Sequence, residues 1–219
     1  MNEERGKQPM TGKFITFEGP DGAGKDSVLD AVIPDVRARL GEQLVVTREP
    51  GGDAIAEQIR ELILDPKNTG MDDRTEALLY AASRRQHLQT VIEPALNRGA
   101  TVICDRFVDS SVAYQGAGRQ IGEEAVFELN QFATNGRTPD LTVYLDVPAQ
   151  VGLDRIKQNR QDTQYDRLDQ EAVDFHDRVR ESYLRLAKRN PQRIITIDAT
   201  QPLAAVITEV EELLQRHIG

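Results

Sequence analysis

The sequence predicts a three-layer α/β fold: a five-stranded parallel sheet covered by helices on both faces. Three observations carry that prediction. Five short apolar runs rich in Val, Ile and Thr lack strict alternation, as strands buried on both faces do. Helical patterns separate them, and regular strand–helix alternation builds a parallel sheet. Between the first run and the first helix stands a glycine-rich turn, Gly19-Pro20-Asp21-Gly22-Ala23-Gly24-Lys25.

The strands are expected at Phe14–Phe17, Leu44–Thr47, Thr101–Cys104, Leu141–Leu145 and Ile194–Ile197. A first helix starts after the glycine-rich turn, with Val28, Leu29, Ala31, Val32 and Ile33. Residues 53–64 carry Ile55, Ile59, Leu62 and Ile63 at helical spacing. Residues 75–97 carry Leu78, Leu79, Ala82, Leu88, Val91, Ile92 and Leu96, and Pro94 kinks or restarts that helix. Further helices are expected over 123–133, 170–189 with Asp169 as N-cap, and 203–216.

With 219 residues the chain is long enough for one sizeable α/β domain. Its net charge of −9 argues against general binding to nucleic acid or to a membrane surface. The single cysteine, Cys104, excludes an intrachain disulfide and suits a reducing compartment, so the expected location is cytoplasmic. Its apolar surroundings read as a packed strand residue. No run is long enough for a membrane-spanning helix. Residues 1–11 are expected to form a disordered N-terminal extension.

A strand, a glycine-rich turn and a helix are the setting of a phosphate-binding loop, which makes the predicted fold a P-loop NTPase type. Backbone amides and the helix N-terminus would face the phosphates, and Lys25 would reach them as a point charge. The loop and its flank, from Gly19 to Ser27, are therefore assigned to a nucleoside triphosphate. One residue departs from the pattern. Asp26 stands where a hydroxyl normally meets Mg²⁺, and Ser27 lies about 100° further round the helix.

The strand tips supply the rest. Strand two runs into Arg48-Glu49-Pro50-Gly51-Gly52 and strand three into Asp105-Arg106-Phe107. Arg48, Glu49, Asp105, Arg106 and Lys25 thus border one crevice, where ligands bind in such sheets. Phosphoryl transfer needs alignment and charge neutralisation, which arginines and metal-holding carboxylates provide. Asp26, Asp105 and Glu49 are the candidates for Mg²⁺. No Asn-Lys-x-Asp run marks a guanine site, and Cys-Asp-Arg is not the ending of a motor ATPase strand.

These motifs, together with Leu79-Tyr80-Ala81-Ala82-Ser83-Arg84-Arg85, Tyr114-Gln115-Gly116 and Pro139-Asp140-Leu141, resemble the thymidylate kinase family over residues 12–216. The resemblance implies one kinase domain over 12–219, ATP as donor with Mg²⁺, dTMP as acceptor and dTDP as product. It places Asp21 near the deoxyribose 3′-hydroxyl. Arg106, Arg48 and Arg60 would hold the acceptor phosphate. Tyr80 would stack on thymine, and Arg84, Ser111 and Gln115 would hydrogen-bond the base. Tyr114 would disfavour a 2′-hydroxyl. It also implies a homodimer packed through helices.

The family has two arrangements of its assisting arginine. One puts it in the phosphate loop; the other supplies it from a lid. Gly22 in the loop and a lid over about 152–168 match the second, bacterial arrangement, with Arg160 and Arg155 as candidates. Arg167 reads as structural, and the 198–202 loop falls where adenine is expected. Two other readings are a deoxynucleoside kinase and a nucleotide-binding protein whose catalysis Asp26 has impaired.

Overall fold

The structure, a computed structural model, describes residues 12–159 and 171–218. Five parallel strands form one sheet in the order β2-β3-β1-β4-β5. They are β1 (Phe14–Glu18), β2 (Leu44–Arg48), β3 (Thr101–Asp105), β4 (Leu141–Asp146) and β5 (Ile194–Asp198). Each runs one residue past its apolar run and ends on a charged side chain. The ladder explains this, since Arg48 pairs with Asp105 and Asp146 with Asp198. A charged residue keeps its backbone bonds there while its side chain leaves the core.

Two cores flank the sheet. Ile15, Phe17, Ile103, Val143 and Leu145 pack beneath α1 (Lys25–Leu40) and α9 (Leu203–Ile218). Phe14, Val102, Cys104 and Tyr144 point the other way. They pack against α4 (Glu93–Asn97), α8 (Val173–Arg189) and the segment around Val112. Full burial of each large side chain contributes about 1.5–3 kcal/mol, so the doubly covered sheet dominates the stability.

Three helical regions differ from the sequence reading. The long 75–97 helix is α3 (Asp73–His87), a wider π-type turn at Leu88–Ile92, and α4. Pro94 sits in the first turn of α4, and the Glu93 N–H reaches back to the Leu88 carbonyl. Proline has no N–H to continue the α-helical pattern. The 170–189 helix begins at Val173 with Ala172 before it; Asp169 lies outside the described residues. Residues to which the sequence assigned no element form α5 (Val108–Ser111) and a second π-type turn at Val112–Gly118. That stretch is almost wholly buried, so tertiary packing imposes helix on a glycine-containing sequence.

Aspartates start the two helices that border the site. Asp53 accepts from the Ile55 and Ala56 N–H groups to open α2 (Ala54–Leu64), and Asp72 does the same for α3. The remaining helices are α6 (Glu123–Thr134) and α7 (Ala149–Asn159). The strand order reverses beside β1, and the cavity opens at that reversal, beyond the C-terminal ends of the strands.

Candidate active site

The phosphate loop follows β1. Gly19, Gly22 and Gly24 all have positive φ, and a Cβ on Gly19 would lie 2.6 Å from the Leu145 carbonyl oxygen. Lys25 opens α1 and is buried. Burial and the nearby Arg106 push its ammonium down, against Asp105, Asp21 and Asp26. Asp26 and Ser27 are exposed at the cavity wall.

Arg106 follows β3 with φ +67, uncommon for a residue with a side chain. Its guanidinium is fixed from several sides. It donates to Asp21 Oδ1 at 2.7 Å, the Gly19 carbonyl at 3.0 Å and the Tyr114 hydroxyl at 3.2 Å. It also lies 4.9 Å from the Tyr114 ring centroid. The Tyr114 hydroxyl donates to Asp21 Oδ2 at 2.9 Å. Burial raises the Asp21 carboxyl, but the charges of Arg106 and Lys25 outweigh it, so the pKa is lowered.

Beyond β2, Arg48 and Arg60 both donate to the Pro50 carbonyl, at 3.0 and 2.9 Å. Glu49 turns inward. One oxygen accepts from Arg84 Nε at 2.7 Å and the other pairs with His87 Nδ1 at 3.0 Å. Arg84 is almost completely buried, and its N–H groups also reach Ser111, Asn130 and the Phe107 carbonyl. Of the five donors of a guanidinium, partners among the described residues take four. Gln115 is held by Glu76 Oε1 at 2.8 Å, and Arg119 braces Glu76.

Two carboxylates at the strand tips stand out. Asp105 has a buried Oδ1 with no hydrogen-bond partner among the described residues, and its charge acts on Lys25. Glu18 at the tip of β1 is fully buried and accepts from the Phe107 N–H at 2.7 Å and the Tyr183 hydroxyl at 2.8 Å. Burial, aided by Asp109, pushes its pKa up to about 7.

One cavity of about 770 Å³ is lined by Lys25, Asp105, Arg106, Arg48, Arg60 and Arg84, while Glu18 lies behind its wall. Among the described residues its wall includes every candidate from the sequence except Gly19 and Pro20, which form the base of the loop. Arg155 on α7 reaches the carbonyls of Gly22 and Ala199, so it bridges the phosphate loop and the segment after β5. Arg160 and Arg167 lie outside the described residues, as does the second half of the expected lid. Sequence reasoning missed Glu18, Glu76, His87 and Asn130. Glu18 alone had a signal, being the charged residue that completes the series of strand tips. The others lie on α3 (Glu76 and His87) and α6 (Asn130), away from the strand tips, and show no local pattern.

A phosphate loop facing clustered arginines on a parallel sheet defines a P-loop phosphotransferase. The family model for thymidylate kinase matches residues 17–210. A thymidylate kinase of Latilactobacillus sakei is 65% identical over 94% of this chain and 95% of its own length. One of Lacticaseibacillus casei is 63% identical over 95% of this chain and 97% of its own. The crystal structure of thymidylate kinase from Ehrlichia chaffeensis superposes with a TM-score of 0.75 at 34% identity, covering 93% of this chain and 98% of that one. The chain belongs to the thymidylate kinase family, nucleoside monophosphate kinases that phosphorylate dTMP to dTDP. That membership disfavours the deoxynucleoside kinase and impaired-binder readings.

Proposed function

We propose that the γ-phosphate of ATP passes to the dTMP phosphate across the cavity between the phosphate loop and Arg48, Arg60 and Arg106. The observation that carries this reading is the convergence of Lys25 and these arginines on one cavity. An acceptor that already carries phosphate needs such neutralisation; an unphosphorylated nucleoside does not. A dTMP phosphate oxygen attacks the γ-phosphorus, the bond to the β-phosphate oxygen breaks, and ADP leaves. The protein aligns the two phosphates and neutralises the charge that spreads over the transferring group.

Arg106, pinned by Asp21 and Tyr114, holds the acceptor phosphate. Tyr80 stacks on the base, and the fifth donor of Arg84 meets an acceptor on its edge. Gln115 and Ser111 complete that edge. Tyr114 occupies the space a 2′-hydroxyl would need. The orphaned Asp105 oxygen fits Mg²⁺, and Asp26 stands on the same wall. Mg²⁺ would add charge neutralisation between the phosphates. Glu49 faces Arg84 and His87 with both oxygens, so it acts through Arg84 rather than on metal.

The lid over about 152–168 would supply the assisting cation from Arg160 or Arg155. Exposed Leu78, Phe127 and Phe132 on α3 and α6 support a homodimer packed through helices. Among the described residues no helix is long and apolar enough to cross a membrane, and the lone cysteine supports a cytoplasmic site of action.

ADP release with ATP and Mg²⁺ across a panel of nucleosides and monophosphates tests the reading. The expected result is turnover with dTMP and little with thymidine or ribonucleotides. Turnover with an unphosphorylated nucleoside would overturn the acceptor assignment.

A further inference from the structure

We propose that His87, which does not line the cavity, is a positioning residue that holds the base-facing and phosphate-facing arginines in one frame. The proposal rests on the roles given above to Arg84, Arg48 and Arg60.

His87 is fully buried at the C-terminal end of α3. Its Nδ1 lies 3.0 Å from Glu49 Oε1, and its Nε2 lies 2.7 Å from Thr47 Oγ1. The carboxylate can only accept, so the network assigns the ring hydrogen to Nδ1 and leaves Nε2 to accept from Thr47. Glu49 in turn accepts from Arg84 Nε at 2.7 Å. A chain of three polar groups, half-buried Thr47 and buried His87 and Glu49, therefore fixes the Arg84 guanidinium from behind.

The same ring supports the turn after β2. Gly52 has φ +92, and a Cβ there would lie 2.4 Å from both Cδ2 and Nε2 of His87. The imidazole packs directly against Gly52, the last residue of the Pro50-Gly51-Gly52 turn. That turn presents the Pro50 carbonyl to Arg48 and Arg60. One side chain thus touches the supports of both halves of the acceptor site.

The neighbouring Cys104 makes a second reading available, because Glu49, His87 and Cys104 offer ligand atoms within 4.8 Å of one another. His87 Nδ1 is itself engaged by Glu49, and burial pushes the Cys104 thiol well up. Both Glu49 oxygens are already committed. The chemistry favours a hydrogen-bonded brace over a metal site.

The test is steady-state kinetics of His87→Leu, His87→Asn and Thr47→Val, with KM for dTMP and for ATP measured separately. Leucine fills the space but gives Glu49 no donor. It is expected to raise KM for dTMP about 10-fold, the effect of one lost charge-assisted hydrogen bond, with KM for ATP almost unchanged. Asparagine keeps an N–H where Nδ1 stood and should restore most of the dTMP affinity. Thr47→Val should move dTMP KM in the same direction by less. Unchanged dTMP KM in His87→Leu overturns the proposal. So does a parallel rise of both KM values that asparagine does not rescue, since that marks packing alone. Where His87→Leu does not fold, Thr47→Val decides, and an unchanged dTMP KM there is the overturning result. Failure of the wild-type chain to use dTMP would sink the parent reading before any variant is compared.

Discussion

Gly22 in the phosphate loop and Gly152 in α7 meet backbone to backbone. A Cβ on Gly22 would lie 2.1 Å from the Gly152 carbonyl oxygen, and a Cβ on Gly152 would lie 2.4 Å from the Asp21 carbonyl oxygen. Gly22 also has φ +74. The expected loop glycine therefore has two separate causes, its own dihedral and the helix pressed against it. An arginine in the loop would have to displace α7.

Gly152→Ala tests that contact against helix propensity. Alanine is intrinsically favoured in a helix interior by about 1 kcal/mol. Here its methyl group meets the backbone of the phosphate loop, so the sign should reverse. The variant is expected to melt lower and to raise KM for ATP several-fold while leaving KM for dTMP near wild type. A thermal melt and two KM values check this, and a stabilised variant with unchanged ATP affinity would refute it.

Arg106→Lys probes the pinned guanidinium. Lysine keeps the charge and suffers the same positive φ, so the backbone cost is equal in both chains. It cannot reproduce the planar fork that reaches Asp21, Gly19 and Tyr114 together. The expected loss in kcat/KM for dTMP is about 10²–10³-fold, the scale of losing a transition-state donor. Activity within a few-fold of wild type would show that charge alone suffices.

Asp26→Thr separates two opposed effects at one position. An anion in the first turn of α1 contributes about 0.3–1 kcal/mol to the helix. The same charge beside ATP phosphates is repelled, by roughly 4 kcal/mol at 4 Å and an effective dielectric of 20 before a metal intervenes. Threonine should therefore lower thermal stability slightly while strengthening ATP binding and lowering the Mg²⁺ needed for half-maximal rate. Turnover and Mg²⁺ dependence both unchanged would contradict the expectation.

The sheet, the phosphate loop and the strand-tip arginines were legible because their signals are local. A phosphate loop is one contiguous run, and Arg48 and Arg106 sit directly after apolar strands. Strand ends were read one residue short because hydrophobicity stops where the charged tip begins, although the ladder does not. The 108–118 segment was illegible for a different reason. Its helical turns are imposed by burial against α6 and α8, not by its own propensity. The supports of the base site were illegible too. Glu76 and His87 stand on α3 and Asn130 on α6, and only folding brings them to Gln115, Glu49 and Arg84.

Glu18 makes stability depend on pH in an unusual direction. Burial first, then Asp109, raises its folded pKa to about 7 from an ordinary 4.5. Below about pH 4.5 it is protonated in both the folded and unfolded chain. As pH rises toward 7 the unfolded chain releases the proton while the folded chain keeps it, so folding loses stability through that window and no further above it. The full effect of this one group is on the order of 3 kcal/mol. Asp21, Asp53 and Glu57 have lowered values and act oppositely, losing stability as pH falls, in wild type and variant alike. A difference measurement cancels them. Glu18→Gln keeps an oxygen for the Phe107 N–H and does not titrate, and the Ser110 and Tyr183 hydroxyls can rotate to accept from its amide. Urea unfolding of both proteins from pH 4.5 to 8 should show the wild type losing ground to the variant up to about pH 7 and holding a constant difference beyond. Parallel curves across that range would mean that Glu18 ionises at its ordinary pKa inside the fold.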